Sequence, residues 1–296
     1  MLSLTVLGGS ASVDLGKRIS KLLDAKFVEA KVQTFPDGES KITINSKIKS
    51  KKIVIVQSLY PPVDTHLVQL LSLIIEARLI TNNITLVIPY MGYARQDRVF
   101  LSGEIITMKT VAKLITSAGA KRIITVDIHS KMSLRHFKIP TKNISGVFDL
   151  ADHFTGKKLI NPLIVSPDKG GLDRAKKFAS VLKLPITHLT KHRDRKTGAI
   201  KISTKSIGDI KDRDIIMVDD MISTGNSILK GVQFLKRHRC GRIFVVCTHA
   251  LLVKDAAKKI RKSGVAKIIA SNTIPKSDTI MIDVSRRIAD AIKSSR

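Results

Sequence analysis

The chain has 296 residues, 43% of them hydrophobic, enough for two ordinary domains with real cores. Its 52 Lys and Arg against 24 Asp and Glu give a net charge of +28, which raises nucleic acid as a rival partner. The basic residues are dispersed, however, aromatics make up 4% and there is no Trp, so a stacking platform for bases is poorly supplied and nucleic acid is not the expected partner.

Short continuous apolar runs at residues 2–7, 53–57, 84–89, 122–126, 163–165, 214–218, 242–246 and 267–270 read as strands covered on both faces. Helical patterns lie between them. Residues 104–118 place Met108, Val111, Ala112 and Ile115 on one face, and 173–182 do the same with Ala175, Phe178, Ala179 and Leu182. Alternating strand and helix predicts an α/β fold with mostly parallel sheets flanked by helices. Residues 122–129 and 242–249 echo one another, each run ending in a histidine, which suggests two similar halves. The boundary is expected near 143–150, giving domains 1–145 and 146–296, with the last helix free to pack back on the first. In such sheets ligands sit beyond the carboxyl ends of the strands.

The strand ends therefore carry the chemistry. Phe35-Pro36-Asp37-Gly38-Glu39 is turn chemistry before a strand at 41–45. Residues 67–75 form the longest apolar stretch, but Gln69 and Ser72 break it and it is too short to span a bilayer. The first residues lack the basic lead-in of a secretory signal, so a soluble, cytoplasmic protein is expected. In Tyr93-Ala94-Arg95-Gln96-Asp97-Arg98, two arginines around an amide and a carboxylate suit a nucleotide polyphosphate clamp or a surface ion-pair cluster. Asp127-Ile128-His129 ends a strand with a group that serves as a metal ligand, a phosphate contact or a structural histidine. Ser166-Pro167-Asp168-Lys169-Gly170-Gly171 leads into a helix. Its glycines suggest close phosphate approach, and Asp168 suits Mg²⁺ or a ribose hydroxyl. Residues 191–198, Lys-His-Arg-Asp-Arg-Lys-Thr-Gly, read as a loop able to close cations over phosphates or as an exposed basic hairpin tip. Cys240 and Cys247 have no paired metal spacing and are expected to pack as small apolar groups.

Residues 215–227 say most. An apolar strand at 215–218 runs into Asp219 and Asp220, then Ser223-Thr224-Gly225-Asn226-Ser227, then an amphipathic helix. Free amides at a helix N-terminus, three hydroxyls and a glycine make an anion cradle. The adjacent carboxylates suit sugar hydroxyls or a metal ion, so one loop offers a phosphate seat and a diol or cation grip. A phosphorylated sugar fits that combination. There is no P-loop and no GxGxxG.

Together these segments resemble the ribose-phosphate pyrophosphokinase family over essentially the full length and in the same order. The resemblance implies two domains of the type I phosphoribosyltransferase fold. It also implies transfer of the β,γ-diphosphoryl group of MgATP to the 1-hydroxyl of ribose 5-phosphate. For ATP it implies Phe35, Asp37, Gly38, Glu39, Arg95, Gln96, Asp97 and His129, with Asp37 and Glu39 contacting adenine across a subunit interface of a homo-oligomer. For Mg²⁺ it implies His129 and Asp168, and for stabilising the transferring group Lys191 and Arg193. For ribose 5-phosphate it implies Arg193, Asp219, Asp220, Ser223, Thr224, Gly225, Asn226 and Ser227. The phosphate loop departs from the family's usual Asp-Thr-Gly-Gly-Thr at Ser223, which removes a negative charge, and at Asn226, which stands for a glycine. The two anion seats are expected to face one cleft. The rivals are a phosphoribosyltransferase, a non-catalytic regulatory relative, and a nucleic-acid-binding module resting on charge alone.

Overall fold

The computed structural model describes residues 4–193, 200–203 and 208–294, with backbone alone at 190–193 and 200–203. The chain separates into two compact units, Met1–Ser145 with Val284–Arg296, and Gly146–Asp283.

The first unit runs β1 (Leu4–Gly8), α1 (Val13–Leu22), β2 (Lys26–Glu29), β3 (Lys31–Thr34), β4 (Ser40–Thr43), β5 (Lys52–Val56), α2 (Val63–Arg78), β6 (Ile84–Ile88), α3 (Thr107–Ala118), β7 (Arg122–Val126) and β8 (Thr141–Ile144). Its six-stranded sheet is parallel throughout, in the order β2-β1-β5-β6-β7-β8. The central strands are apolar at nearly every position because helices cover both faces. One face packs Leu70, Ile74, Val111 and Ile115 against Ile53, Ile55 and Leu86.

The second unit runs α4 (Val147–Asp152), β9 (Leu163–Ser166), α5 (Leu172–Leu182), β10 (Ile186–His188), β11 (Thr190–Arg193), β12 (Ile200–Ser203), β13 (Ile215–Ile222), α6 (Asn226–Arg237), β14 (Ile243–Ala250), α7 (Ala256–Lys262), β15 (Lys267–Ser271) and β16 (Ile280–Ile282). Its sheet is again six parallel strands, β10-β9-β13-β14-β15-β16. The chain then returns to the first unit as α8 (Ser285–Lys293), whose Ile288 and Ile292 share a core with Leu15 and Ile19 of α1.

Both sheets run second, first, third, fourth, fifth, sixth strand, and each unit inserts an antiparallel hairpin between its second and third sheet strands, β3–β4 and β11–β12. The internal repeat is thus real. The sequence echo offered for it is not the true correspondence, because residues 122–129 include the fifth sheet strand of their unit and 242–249 the fourth. Two buried parallel strands share apolar character wherever they lie. The strand order reverses direction between β1 and β5 and between β9 and β13, and ligand crevices in open sheets open at such reversals.

No helix among the described residues is long and apolar enough to cross a membrane.

Candidate functional site

In the second unit the reversal point is formed by the carboxyl ends of β9 and β13. The carboxylates do not follow the strand, as the sequence suggested, but ride within it. β13 continues to Ile222, pairing Asp219 with Cys247 and Met221 with His249 of β14. This pairing fixes the pleat, so Asp219 and Asp220 are set by the sheet rather than by a loop. Asp220 is 4% exposed, and Asp219 is half-buried with its Oδ1 accepting from the Asp220 amide at 2.9 Å.

An arginine that sequence reasoning passed over meets this pair. Arg174 Nη1 lies 3.4 Å from Asp219 Oδ1 and 3.6 Å from Asp220 Oδ1. Burial and the Asp220 charge push the Asp219 carboxyl up to about 8, and Arg174 offsets them only in part. Burial, with both carboxylates, also pushes the Cys247 thiol well up, so the free cysteine stays neutral. The signal for Arg174 was present. It stands in the first turn of α5, where the helix dipole favours an acid.

Beyond β13, residues 223–225 lead into α6. Gly225 is the N-cap with φ +76°, and a Cβ there would come within 3.0 Å of Ile260 Cδ1. The left-handed turn swings the chain so that the first amides of α6, which have no carbonyl four residues back, end the loop. Asn226, which stands where the family usually has a glycine, begins the helix and has no positive φ; the left-handed position is Gly225. Ser223 is half-buried, and Thr224, Asn226 and Ser227 are exposed. Gly225→Ala should lower stability by about 1–2 kcal/mol from the left-handed backbone alone. A fall of several degrees in melting temperature checks this, and an unchanged melt would refute it.

Just beyond β9, the Asp168 carboxylate accepts from the Gly171 amide at 3.2 Å, and Ser166 Oγ donates to the Asp168 carbonyl at 2.7 Å. A Cβ on Gly171 would run into Ser166 Oγ, so this glycine answers to packing. Asp168 itself is exposed. Lys191 and Arg193 lie in β11, with their backbones opposite Ile202 and Ile200; their side chains are outside the described residues.

In the first unit the corresponding reversal point is filled from within. Gln57 Oε1 accepts from the Ala11 amide at 3.1 Å, and Ser12 Oγ accepts from the Ser58 amide at 3.0 Å. The residues singled out earlier lie elsewhere in this unit. Phe35, Asp37, Gly38 and Glu39 form the tip of the β3–β4 hairpin, with Asp37 Oδ1 taking the Glu39 amide at 3.1 Å and Phe35 41% exposed. Arg95, Gln96 and Asp97 follow β6. Arg95 is exposed and Gln96 is half-buried. Asp97 is 2% exposed, with its Oδ1 3.5 Å from Arg98 Nε. Gln96 Oε1 and Asp97 Oδ2 are buried without a donor. His129 is exposed beyond β7, after Asp127 at φ +36°, whose Oδ1 accepts from Ser145 Oγ at 2.8 Å.

Residues 142–286 match the phosphoribosyl transferase domain, which gives the class of the second unit. Residues 4–119 match the N-terminal domain of ribose phosphate pyrophosphokinase. The chain is 36% identical to the ribose-phosphate pyrophosphokinase of Sulfurisphaera tokodaii, over 97% of this chain and 99% of that one. It is 36% identical to that of Helicobacter pylori strain J99, over 99% and 93%. The crystal structure of phosphoribosylpyrophosphate synthetase from Mycobacterium smegmatis matches it with a TM-score of 0.86 at 26% identity, covering 99% of this chain and 98% of that one. The chain belongs to the ribose-phosphate pyrophosphokinase family.

Proposed function

We propose that this chain transfers the β,γ-diphosphoryl group of ATP to the 1-hydroxyl of ribose 5-phosphate, giving phosphoribosyl pyrophosphate and AMP. The observation that carries the reading is the second unit's strand end, where a carboxylate pair and a glycine-gated helix N-terminus stand on one short segment. The N-terminal match at 4–119 favours this reading over a phosphoribosyltransferase.

Residues 223–227 hold the 5-phosphate through helix amides and hydroxyls. Asp219 and Asp220 accept hydrogen bonds from ribose hydroxyls. Two-point attachment orients the sugar and so the 1-hydroxyl, replacing a bimolecular encounter with a positioned one. The 1-hydroxyl oxygen bonds to the β-phosphorus as the bond from that phosphorus to the α,β-bridging oxygen breaks. AMP leaves, and the hydroxyl proton passes to solvent. Lys191 and Arg193 neutralise the charge that gathers on the transferring group. Arg95 binds nucleotide phosphate, the orphaned Gln96 Oε1 takes a donor from the nucleotide, and Phe35, Asp37, Gly38 and Glu39 contact its base. Asp97 supports this segment by holding Arg98.

Mg²⁺ in such sites takes one or two carboxylates and fills its shell with water and substrate oxygens. The exposed carboxylate of Asp168 fits that donor set, whereas an imidazole such as that of the exposed His129 is a poor donor for magnesium. When bound, the metal neutralises phosphate charge. An aromatic on an exposed hairpin tip is consistent with sharing the nucleotide site in a homo-oligomer.

The test is to incubate the protein with ribose 5-phosphate and MgATP and follow phosphorus by nuclear magnetic resonance. AMP and phosphoribosyl pyrophosphate should form together, and only when the sugar is present. Formation of ADP instead would make it a simple kinase and refute the reading.

A further inference from the structure

We propose that Arg174 is the positioning residue of the sugar grip: its guanidinium, shared between Asp219 and Asp220, holds both carboxylates in one orientation toward the ribose hydroxyls. This rests on the reading of Asp219 and Asp220 as the ribose contacts.

The geometry is specific. One terminal nitrogen, Nη1, lies 3.4 Å from Asp219 Oδ1 and 3.6 Å from Asp220 Oδ1. The arginine side chain is only 18% exposed, so the contact is shielded from water and salt. It reaches the pair from α5, which follows β9, the strand beside β13 in the sheet. Adjacent residues of a strand point to opposite faces, so two neighbouring carboxylates do not converge unaided. A cation at the sheet end can draw an oxygen of each to a common point. A cation in the first turn of a helix opposes the dipole, and such a local conflict calls for a compensating gain. The gain is at the carboxylate pair.

The charged and titratable groups facing Asp219 are Asp220 on its own strand, Arg174 from α5 and the Cys247 thiol from β14. Arg174 alone among these favours the ionised pair. A protonated carboxyl would offer an O–H where the sugar needs an acceptor.

The experiment compares wild type with Arg174→Met and Arg174→Lys under steady-state turnover with ribose 5-phosphate and MgATP. Arg174→Met should raise the KM for ribose 5-phosphate by about 10- to 100-fold while leaving the KM for ATP within about twofold. The acid limb of kcat/KM for the sugar should move to higher pH by about one unit, because loss of the cation disfavours ionisation. Arg174→Lys should restore part of the KM and most of the pH limb, since it keeps the charge but not the planar fork. Should Arg174→Met not fold, Arg174→Lys against wild type still tests the idea through the KM for the sugar, which should rise while that for ATP holds. Equal changes in both KM values, or an unmoved acid limb, would overturn the proposal. A wild type that forms no AMP from ATP and ribose 5-phosphate would sink the functional reading, whereas an active wild type with an indifferent Arg174→Met sinks only the role of Arg174.

Discussion

Lys191→Ala is expected to lower turnover by about 10³-fold or more, the scale on which a single cation stabilises a transferring phosphoryl group. The loss should appear equally in kcat and in kcat/KM for both substrates, because the charge that Lys191 meets exists only in the transition state. The melting temperature should hardly move. β11 and β12 form a two-stranded sheet of their own, apart from the six-stranded sheet that carries the second unit's core. Substitutions away from a core usually change stability by no more than about 0.5 kcal/mol. Steady-state AMP formation and a thermal melt of the same preparation decide the matter. Near-normal turnover would remove Lys191 from the mechanism. Low turnover with a collapsed melt would mean that the hairpin supports the fold.

What could be read from the sequence was whatever one strand announces by itself. The runs at 53–56, 84–88, 122–126 and 215–218 are apolar at nearly every position, since helices cover both sheet faces, and such runs survive without tertiary information. The edge strands did not announce themselves. β2 is Lys-Phe-Val-Glu, β8 is Thr-Lys-Asn-Ile, and β10 has three residues; each is short, and the first two are at least half polar because an edge meets solvent. The acid pair was legible as chemistry but misplaced as structure. Nothing local says that β13 continues through Asp219 and Asp220, because that extension depends on pairing with Cys247 and His249, about thirty residues on. Arg174 showed locally only as a cation in a helix's first turn; its partners are 45 and 46 positions away, and the adjacency of β9 and β13 is what names them.

The misplaced pair has a measurable consequence. Asp219 has a folded-state pKa near 8, against about 3.9 for an unfolded Asp. Between those values the folded chain holds a proton that the unfolded chain has lost. Stability from this group therefore falls as pH rises through the window, and the penalty is complete above the folded value. Asp219→Asn, which cannot ionise, should escape it. At pH 8.5 the variant should be more stable than wild type by on the order of 2 kcal/mol, less than the bare shift implies because Asp220 and Arg174 share the titration. That corresponds to roughly 5 °C in melting temperature for a unit of this size. Near pH 4.5 the two melts should converge, since Asp219 is then largely protonated in the fold and Asn mimics it. The same substitution should weaken ribose 5-phosphate binding, by removing an ionised acceptor from the sugar grip. A variant that melts below wild type at pH 8.5 would show that the Asp219–Arg174 contact outweighs the burial and repulsion that oppose it. A variant that melts higher and binds the sugar poorly would show that the strand end keeps a charge which folding alone would discard.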